Sequence, residues 1–341
     1  DALPISEKVR KPNIYDVAKL AGVSHQTVSR VINKADYIKD DTRSKVQSAM
    51  EDLGYVPNAA ARALVTSKSK IIGILVSDIV YNGPAGMMHA MEKEARKGGF
   101  FAISASVDPI ESSSIAQGIE HLRRLGIEGL VVITPQSDSV QAVERLVTDI
   151  PVVFIDSPNN SKELSAELDN YSGAKLATEH LISLGHKKIV HVTGPSGWFD
   201  SAPRVAGYQD AMKNAKLEPQ VVDGDWTVPT GYEIGRNLDL DSSKITAIFA
   251  ANDHLALGLM RALRQRGYAI PERVSIIGFD DVPEAAYYEP PLTTMRPDFA
   301  ELGRVAMEMM LGHINREATQ RADTLVPELI VRESTAIPPK L

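Results

Sequence analysis

The chain has 341 residues, 43% hydrophobic and 24% charged, with 23 Gly, 20 Pro and no Cys. That length calls for two or three domains, and the composition excludes a disordered or fibrous chain, a disulfide scaffold, thiolate metal sites and a Cys nucleophile. The net charge of -7 argues against a nucleic-acid partner only until it is mapped: residues 1–68 carry 11 Lys+Arg against 8 Asp+Glu, a balance of +3, and the remainder carries -10. The polar start, with Lys8, Arg10 and Lys11, lacks a signal-peptide core, and no apolar run approaches the ~18 residues of a membrane helix. A cytoplasmic protein without membrane contact is the expectation.

From Asn13 to Leu64 the periodicity is helical, broken at Gly22, Gly54, Pro57 and Asn58. Ile14 to Asn33 has helix-turn-helix spacing: Ala18 is small where two helices must cross, Gly22 can adopt positive φ, and Val28 seats the second helix on the first. Ser24 is placed to cap that helix. At 100° per residue, His25, Gln26, Ser29 and Arg30 share an arc of about 140°, and Val28, Val31 and Ile32 another of about 100°. A polar face of this kind can read base edges in a major groove, Gln on adenine and Arg on guanine. The bland alternative is a solvated helix face. A third helix is expected from about Asp41 to Leu53, with Val46, Ala49, Met50 and Leu53 inward and Gly54 closing it. Asn58 to Leu64 is capped and alanine-rich, but barely two turns long and marginal alone.

From Ile71 onward short β-branched runs alternate with amphipathic stretches. Strands are expected at 71–77, 101–107, 129–133, 152–156, 189–193, 248–251 and 274–279. Helices are expected at 85–97, 113–125, 171–184, 202–215, 254–266 and 299–314. Such alternation means parallel βαβ units, too many for one small sheet, so two doubly wound subdomains are expected. The stripe Met87, Met88, Met91 and Ala95 reads as core or as a dimer contact. GxGxxG, GKS/T, HExxH and GxSxG patterns are missing and the His residues lack metal spacing, so neither an enzyme nor a cofactor is expected.

Asp16-Val-Ala-x-x-Ala-Gly-Val-Ser, Thr27-Val-Ser-Arg-Val-Ile-Asn33 and Gly54-Tyr-x-Pro-Asn58 together resemble the LacI/GalR repressor family. The resemblance runs to about Ala336, through Gly224-Asp-Trp226, Ala251-Asn-Asp253, Gly278-Phe-Asp-Asp281 and Pro290-Pro-Leu-Thr-Thr294. It implies a DNA-binding repressor whose operator affinity a small molecule controls, with an all-α helix-turn-helix domain at 12–57 and a hinge helix and linker at 58–68. A two-subdomain, periplasmic-binding-protein-like α/β effector domain follows at 69–341, one subdomain about 69–168 with 296–321, the other about 169–295 with 322–341. The implied DNA contacts are Tyr15, Ser24, His25, Gln26, Thr27, Ser29, Arg30 and Asn33, with Asn58, Ala61 and Leu64 on the hinge, Leu64 wedging into the minor groove. The effector contacts carried over are Ser77, Asp156, Arg204, Trp226, Asn252, Asp280 and Phe299. Carboxylates, Asn and Arg at strand ends suit sugar hydroxyls, and Trp226 could stack on a pyranose or be core. Asp253 and Asp281 are read as caps of a following helix or turn.

The implied partners are double-stranded DNA with a pseudopalindromic operator, a sugar, and a second copy of the chain. Pro297 stands where galactoside-binding members offer a glutamine, which puts galactosides in doubt. The chain ends at Pro338-Pro-Lys-Leu341 without a leucine-heptad tail, so a dimer is expected rather than a tetramer. A purine or sugar-phosphate effector, and a transport solute-binding protein, are the competing readings.

Overall fold

The structure is a computed structural model describing residues 10–33, 37–57, 68–77, 82–108, 112–133, 136–156, 164–317 and 324–340. The chain forms two compact units, Asp1–Ser69 and Lys70–Leu341.

In the first unit, α1 (Ile14–Ala21) starts with a reciprocal cap: Asn13 accepts from the Tyr15 and Asp16 amides, and Asp16 accepts from the Asn13 amide. Gly22, at φ 68°, ends it in the left-handed conformation. Helix α2 (His25–Ile32) follows after two further residues, and α3 (Asp40–Asp52) completes the bundle. Val17, Ala18, Val28, Val31, Val46 and Ala49 are its buried core. Gly54 is left-handed at φ 59°, one residue beyond the C-cap Leu53. The expected hinge helix, with Asn58, Ala61 and Leu64, lies outside the described residues.

The second unit has two sheet layers. The first sheet is wholly parallel, in the order β2-β1-β3-β4-β5: β1 (Ile71–Ser77), β2 (Phe101–Val107), β3 (Gly129–Ile133), β4 (Val152–Ile155) and β5 (Leu164–Ala166). Successive side chains go to opposite faces. Ile72, Ile74, Val131 and Val153 pack with α4 (Asn82–Lys97) and α11 (Phe299–Asn315); Leu75, Leu130, Val132 and Phe154 pack with α5 (Ser112–Arg124) and α6 (Ser137–Leu146). Met87, Met91 and Ala95 are buried in the first of these cores beside Met307 and Met310, so that stripe is core.

The second sheet has the order β11-β10-β9-β8-β6-β7, built from β6 (Ile189–Val192), β7 (Gln220–Val222), β8 (Ala247–Ala250), β9 (Ser275–Phe279), β10 (Thr293–Arg296) and β11 (Glu328–Ile330). Only the β10–β11 pair is antiparallel. Helices α7 (Asn170–Ser183) and α8 (Ser201–Asn214) cover one face, and α9 (Val228–Asn237) and α10 (Asp253–Gln265) cover the other.

The chain passes between the layers three times: from β5 to α7, from β10 to α11, and from α11 to β11. Two of these passages are tied together, Leu325 N–H donating to Glu167 O at 3.0 Å and Asp169 N–H to Leu325 O at 2.7 Å. The strand ends therefore face each other across a cleft flanked by these passages. Strands β5, β7, β10 and β11, of three or four residues, are too short to show alternation, and Gly231 and Gly235 mask α9, so the sequence pattern marks none of them.

Candidate functional site

In the first unit, Ser24 Oγ accepts from Thr27 N–H at 3.1 Å and lies 2.9 Å from the Thr27 hydroxyl. Both hydroxyls thus fix the start of α2. His25, Gln26, Arg30 and Asn33 are exposed; Thr27 and Ser29 are half-buried. Tyr15, 62% exposed, places its ring 5.0 Å from that of His25, extending the polar face onto α1. Arg30 lies over the Tyr37 ring at 5.8 Å, a neighbour sequence spacing does not disclose. The helix that carries this face is held at its backbone, capped at its start and seated on Val28 and Val31.

In the second unit the centre of the cleft is Arg204, on α8 and only 3% exposed. Its Nε donates to Asn170 Oδ1 at 2.8 Å, one terminal nitrogen donates to Ala251 O at 2.5 Å, and the other stands 3.6 Å from Asp280 Oδ1. The guanidinium lies 3.8 Å from the Phe279 ring centroid and 5.3 Å from that of Trp226. A buried cation so fully engaged holds fixed geometry. Asp280 extends β9 at φ 104°, and burial, against the pull of Arg204, raises its carboxyl to about 7. From the other layer comes Asp156, at φ 52°, accepting from Leu168 N–H at 2.7 Å. Burial, and then the charge of Asp200, push its carboxyl well above the usual range. Asp200, just before α8, is itself raised by burial. It belongs to this cluster, although the Gly- and Pro-containing segment Gly194–Asp200 that carries it shows no strand or helix period in the sequence. Of eight non-glycine residues with positive φ among the described ones, three, Asp156, Asp280 and Asp281, directly follow β4 and β9, where strained backbone aims side chains, and a fourth is Trp226.

The other residues expected at the effector site are placed as follows. Trp226 is 4% exposed and belongs to the core. A Cβ at Gly194 would overlap its ring, Arg204 lies against it, and Trp198 meets it edge-on at 5.9 Å, so it offers no open stacking face. Asn252 caps α10 by accepting from Leu255 N–H at 2.8 Å and donates to Trp226 O at 3.1 Å. Ser77 Oγ donates to Ile133 O at 3.3 Å. Phe299 opens α11 and packs against Gly83 and Gly86 of α4. Asp253 and Asp281 are not caps. Asp253 is fully buried, accepting from Thr294 Oγ1 at 2.6 Å and Val282 N–H at 2.9 Å. Asp281 binds Arg296, the last residue of β10, at 2.6 Å and Arg332, just beyond β11, at 2.7 Å. His191, stacked 4.4 Å from Phe249, is lowered by burial to about 4 and stays neutral.

A DNA-reading helical face on one unit and a two-layer ligand cleft on the other define a ligand-responsive transcriptional regulator. Residues 13–58 match the model for bacterial regulatory proteins of the lacI family, and residues 178–335 that for a periplasmic binding protein-like domain. The HTH-type transcriptional repressor PurR of Haemophilus influenzae is 36% identical over 332 residues, covering 94% of this chain and 98% of that one. The chain belongs to the LacI family of repressors, which are not enzymes. The crystal structure of the Lac repressor dimer bound to operator and an anti-inducer superposes with a TM-score of 0.88 at 31% identity, over 96% of this chain and all of that one. The complex of the transcriptional regulator CelR with cellobiose superposes with a TM-score of 0.71 at 29% identity, over 95% of this chain and 99% of that one.

Proposed function

We propose that this protein is a homodimeric repressor of carbohydrate-utilisation genes, whose hold on a pseudopalindromic operator is set by a neutral sugar bound between the two layers of its effector domain. Its working parts are the reader at 12–57, the hinge at 58–68 and the effector domain at 69–341, with α11 in the first subdomain. The observation that carries the sugar assignment is the cleft centre: an immobilised Arg204 with Asp280, faced by Asp156 and Asp200, offers acceptors and donors for hydroxyls. The CelR complex, with its cellobiose, supports it.

The DNA contacts are the His25–Arg30 face, with Tyr15 and Asn33 at its edges and Asn58, Ala61 and Leu64 on the hinge. A symmetric dimer presents that face twice, matching two half-sites. Ligand closing the cleft shifts one layer against the other and alters hinge pairing across the dimer. Among the described residues no helix is long and apolar enough to cross a membrane, and a DNA reader of this family works in the cytoplasm.

The PurR relative makes a purine the second reading, favoured by that relationship alone. Thermal-shift screening separates the two: a saccharide at about 100 times its dissociation constant raises stability by about 2.7 kcal/mol. A shift with purines and with no saccharide overturns the sugar. For the reader, Arg30→Ala should relax preference at one operator base by about 1–3 kcal/mol; equal loss on random DNA reduces Arg30 to a phosphate contact.

A further inference from the structure

The loop joining β6 to α8 crosses the cleft. Its residue Trp198 forms an antiparallel bridge with Gln136, which precedes α6 of the first layer. The next residue, Phe199, packs against that layer's core of Leu75, Val107, Ile119 and Val143. Trp198 turns the other way, onto the second layer's core and edge-on to Trp226. The loop is therefore anchored in both layers, and it delivers Asp200 next. Asp200 sits at the N-cap of α8 at φ -78°, ψ -33°, yet its side chain makes no capping hydrogen bond. An acid so placed ordinarily accepts from the first turn of its helix. Here the charges acting on it and on its neighbours are those of the cleft: Asp156 from the first layer, and Arg204 and Asp280 from the second. A second, separate feature marks the same place. The indole N–H of Trp226, a residue 4% exposed, has no hydrogen-bond partner, beside Arg204 and Trp198.

We propose that Asp200 is an effector-binding residue, which with Asp156 grips neighbouring hydroxyls of an uncharged saccharide from opposite layers of the cleft. This rests on the sugar reading above and adds to it both the residue and the charge class of the ligand. The charge of Asp200 acts on Asp156, and two such carboxylates repel unless a proton or a donor lies between them. Saccharide hydroxyls supply donors to both at once, and the repulsion becomes a pair of charge-assisted hydrogen bonds. A phosphate or carboxylate on the sugar would add a further negative charge to an acid-rich site. The cross-cleft loop supplies the geometry, because Phe199 fixes on the first layer a carboxylate whose helix belongs to the second.

The chain's only two tryptophans, Trp198 and Trp226, both lie at this site, so intrinsic fluorescence reads it directly. The full-length protein is titrated with glucose, galactose, maltose and cellobiose, and in parallel with glucose 6-phosphate and hypoxanthine. Asp200→Asn and Asp200→Glu follow, each checked by its melting curve. A neutral saccharide should shift the emission of the parent, Asp200→Asn should weaken it about tenfold or more, and Asp200→Glu should lose less. If the saccharide binds Asp200→Asn as tightly as the parent, the role of Asp200 falls and the sugar reading stands. If the parent responds to hypoxanthine or glucose 6-phosphate and to no neutral saccharide, or to none of the six, both fall.

Discussion

The reader and the cleft solve the problem of holding polar side chains in place by opposite means. In the reader, each fixing contact is local: Asn13 with Asp16, Ser24 with Thr27, Gly22 between two helices, and a core of six small and branched residues beneath. Its polar face stays in water. In the cleft, the partners are 34 residues apart for Arg204 with Asn170 and 47 for Arg204 with Ala251, and the charged groups are buried. Local fixing leaves side chains free to meet a varied surface such as DNA; distant fixing makes a preorganised cavity whose disturbance is felt across the whole unit.

The largest expected effect breaks the distant kind. Arg204→Met leaves Asp280 and Asn170 buried without their cation and should lower the stability of the second unit by about 3–5 kcal/mol. Calorimetry with resolved transitions checks this; a second-unit loss below about 1 kcal/mol would show Arg204 to be dispensable to the architecture. The next concerns pH. His191, lowered to about 4, binds its proton in the unfolded chain before the folded one, so it makes stability climb as pH rises from 4 to 6.5. Asp280, raised to about 7, holds its proton in the folded state, so it makes stability fall as pH rises from 3.8 to 7. Each acts at about 1.4 kcal/mol per pH unit, and they oppose each other between pH 4 and 6.5. Asp280→Asn removes the falling contribution, so its urea midpoint should climb more steeply than the parent's from pH 4.5 to 6.5, by about 3 kcal/mol over that range. Parallel profiles would contradict the raised carboxyl.

Two smaller effects probe the local kind. Val28→Ala empties part of the reader's core, costing about 2 kcal/mol, and should lower the reader's transition while the second unit's stays in place. A shared shift would mean that the two units unfold together. Ser24→Ala removes the α2 cap and should cost about 1 kcal/mol in the same transition; no change would show that Thr27 and the packing of Val28 suffice.

This contrast also explains what the sequence disclosed. The reader was legible because its signals are short-range: a cap, a turn glycine and a 3.6-residue period fall within twenty residues. In the second unit the alternation of strands and helices was equally plain, and the acids at strand ends followed from where β4 and β9 stop. What the residues alone could not reveal is how side chains are engaged after folding. Trp226 is core because Gly194 admits its ring, Asn252 is occupied with capping α10, and Asp281 with Arg296 and Arg332. Asp200 carries only the local pattern of a helix N-cap, which does not point to the cleft. It joins the cleft only because Phe199, its neighbour in sequence, packs on the opposite layer.

Coupling between cleft and reader is tested most directly by fluorescence anisotropy of a labelled operator, selected from a random pool, titrated with the full-length protein. The titration is run with and without the saccharide that shifts tryptophan emission. A sugar-controlled repressor predicts a change in operator affinity of about tenfold or more, reduced in Asp200→Asn at the same saccharide concentration. Superimposable titrations with and without the bound saccharide would contradict it.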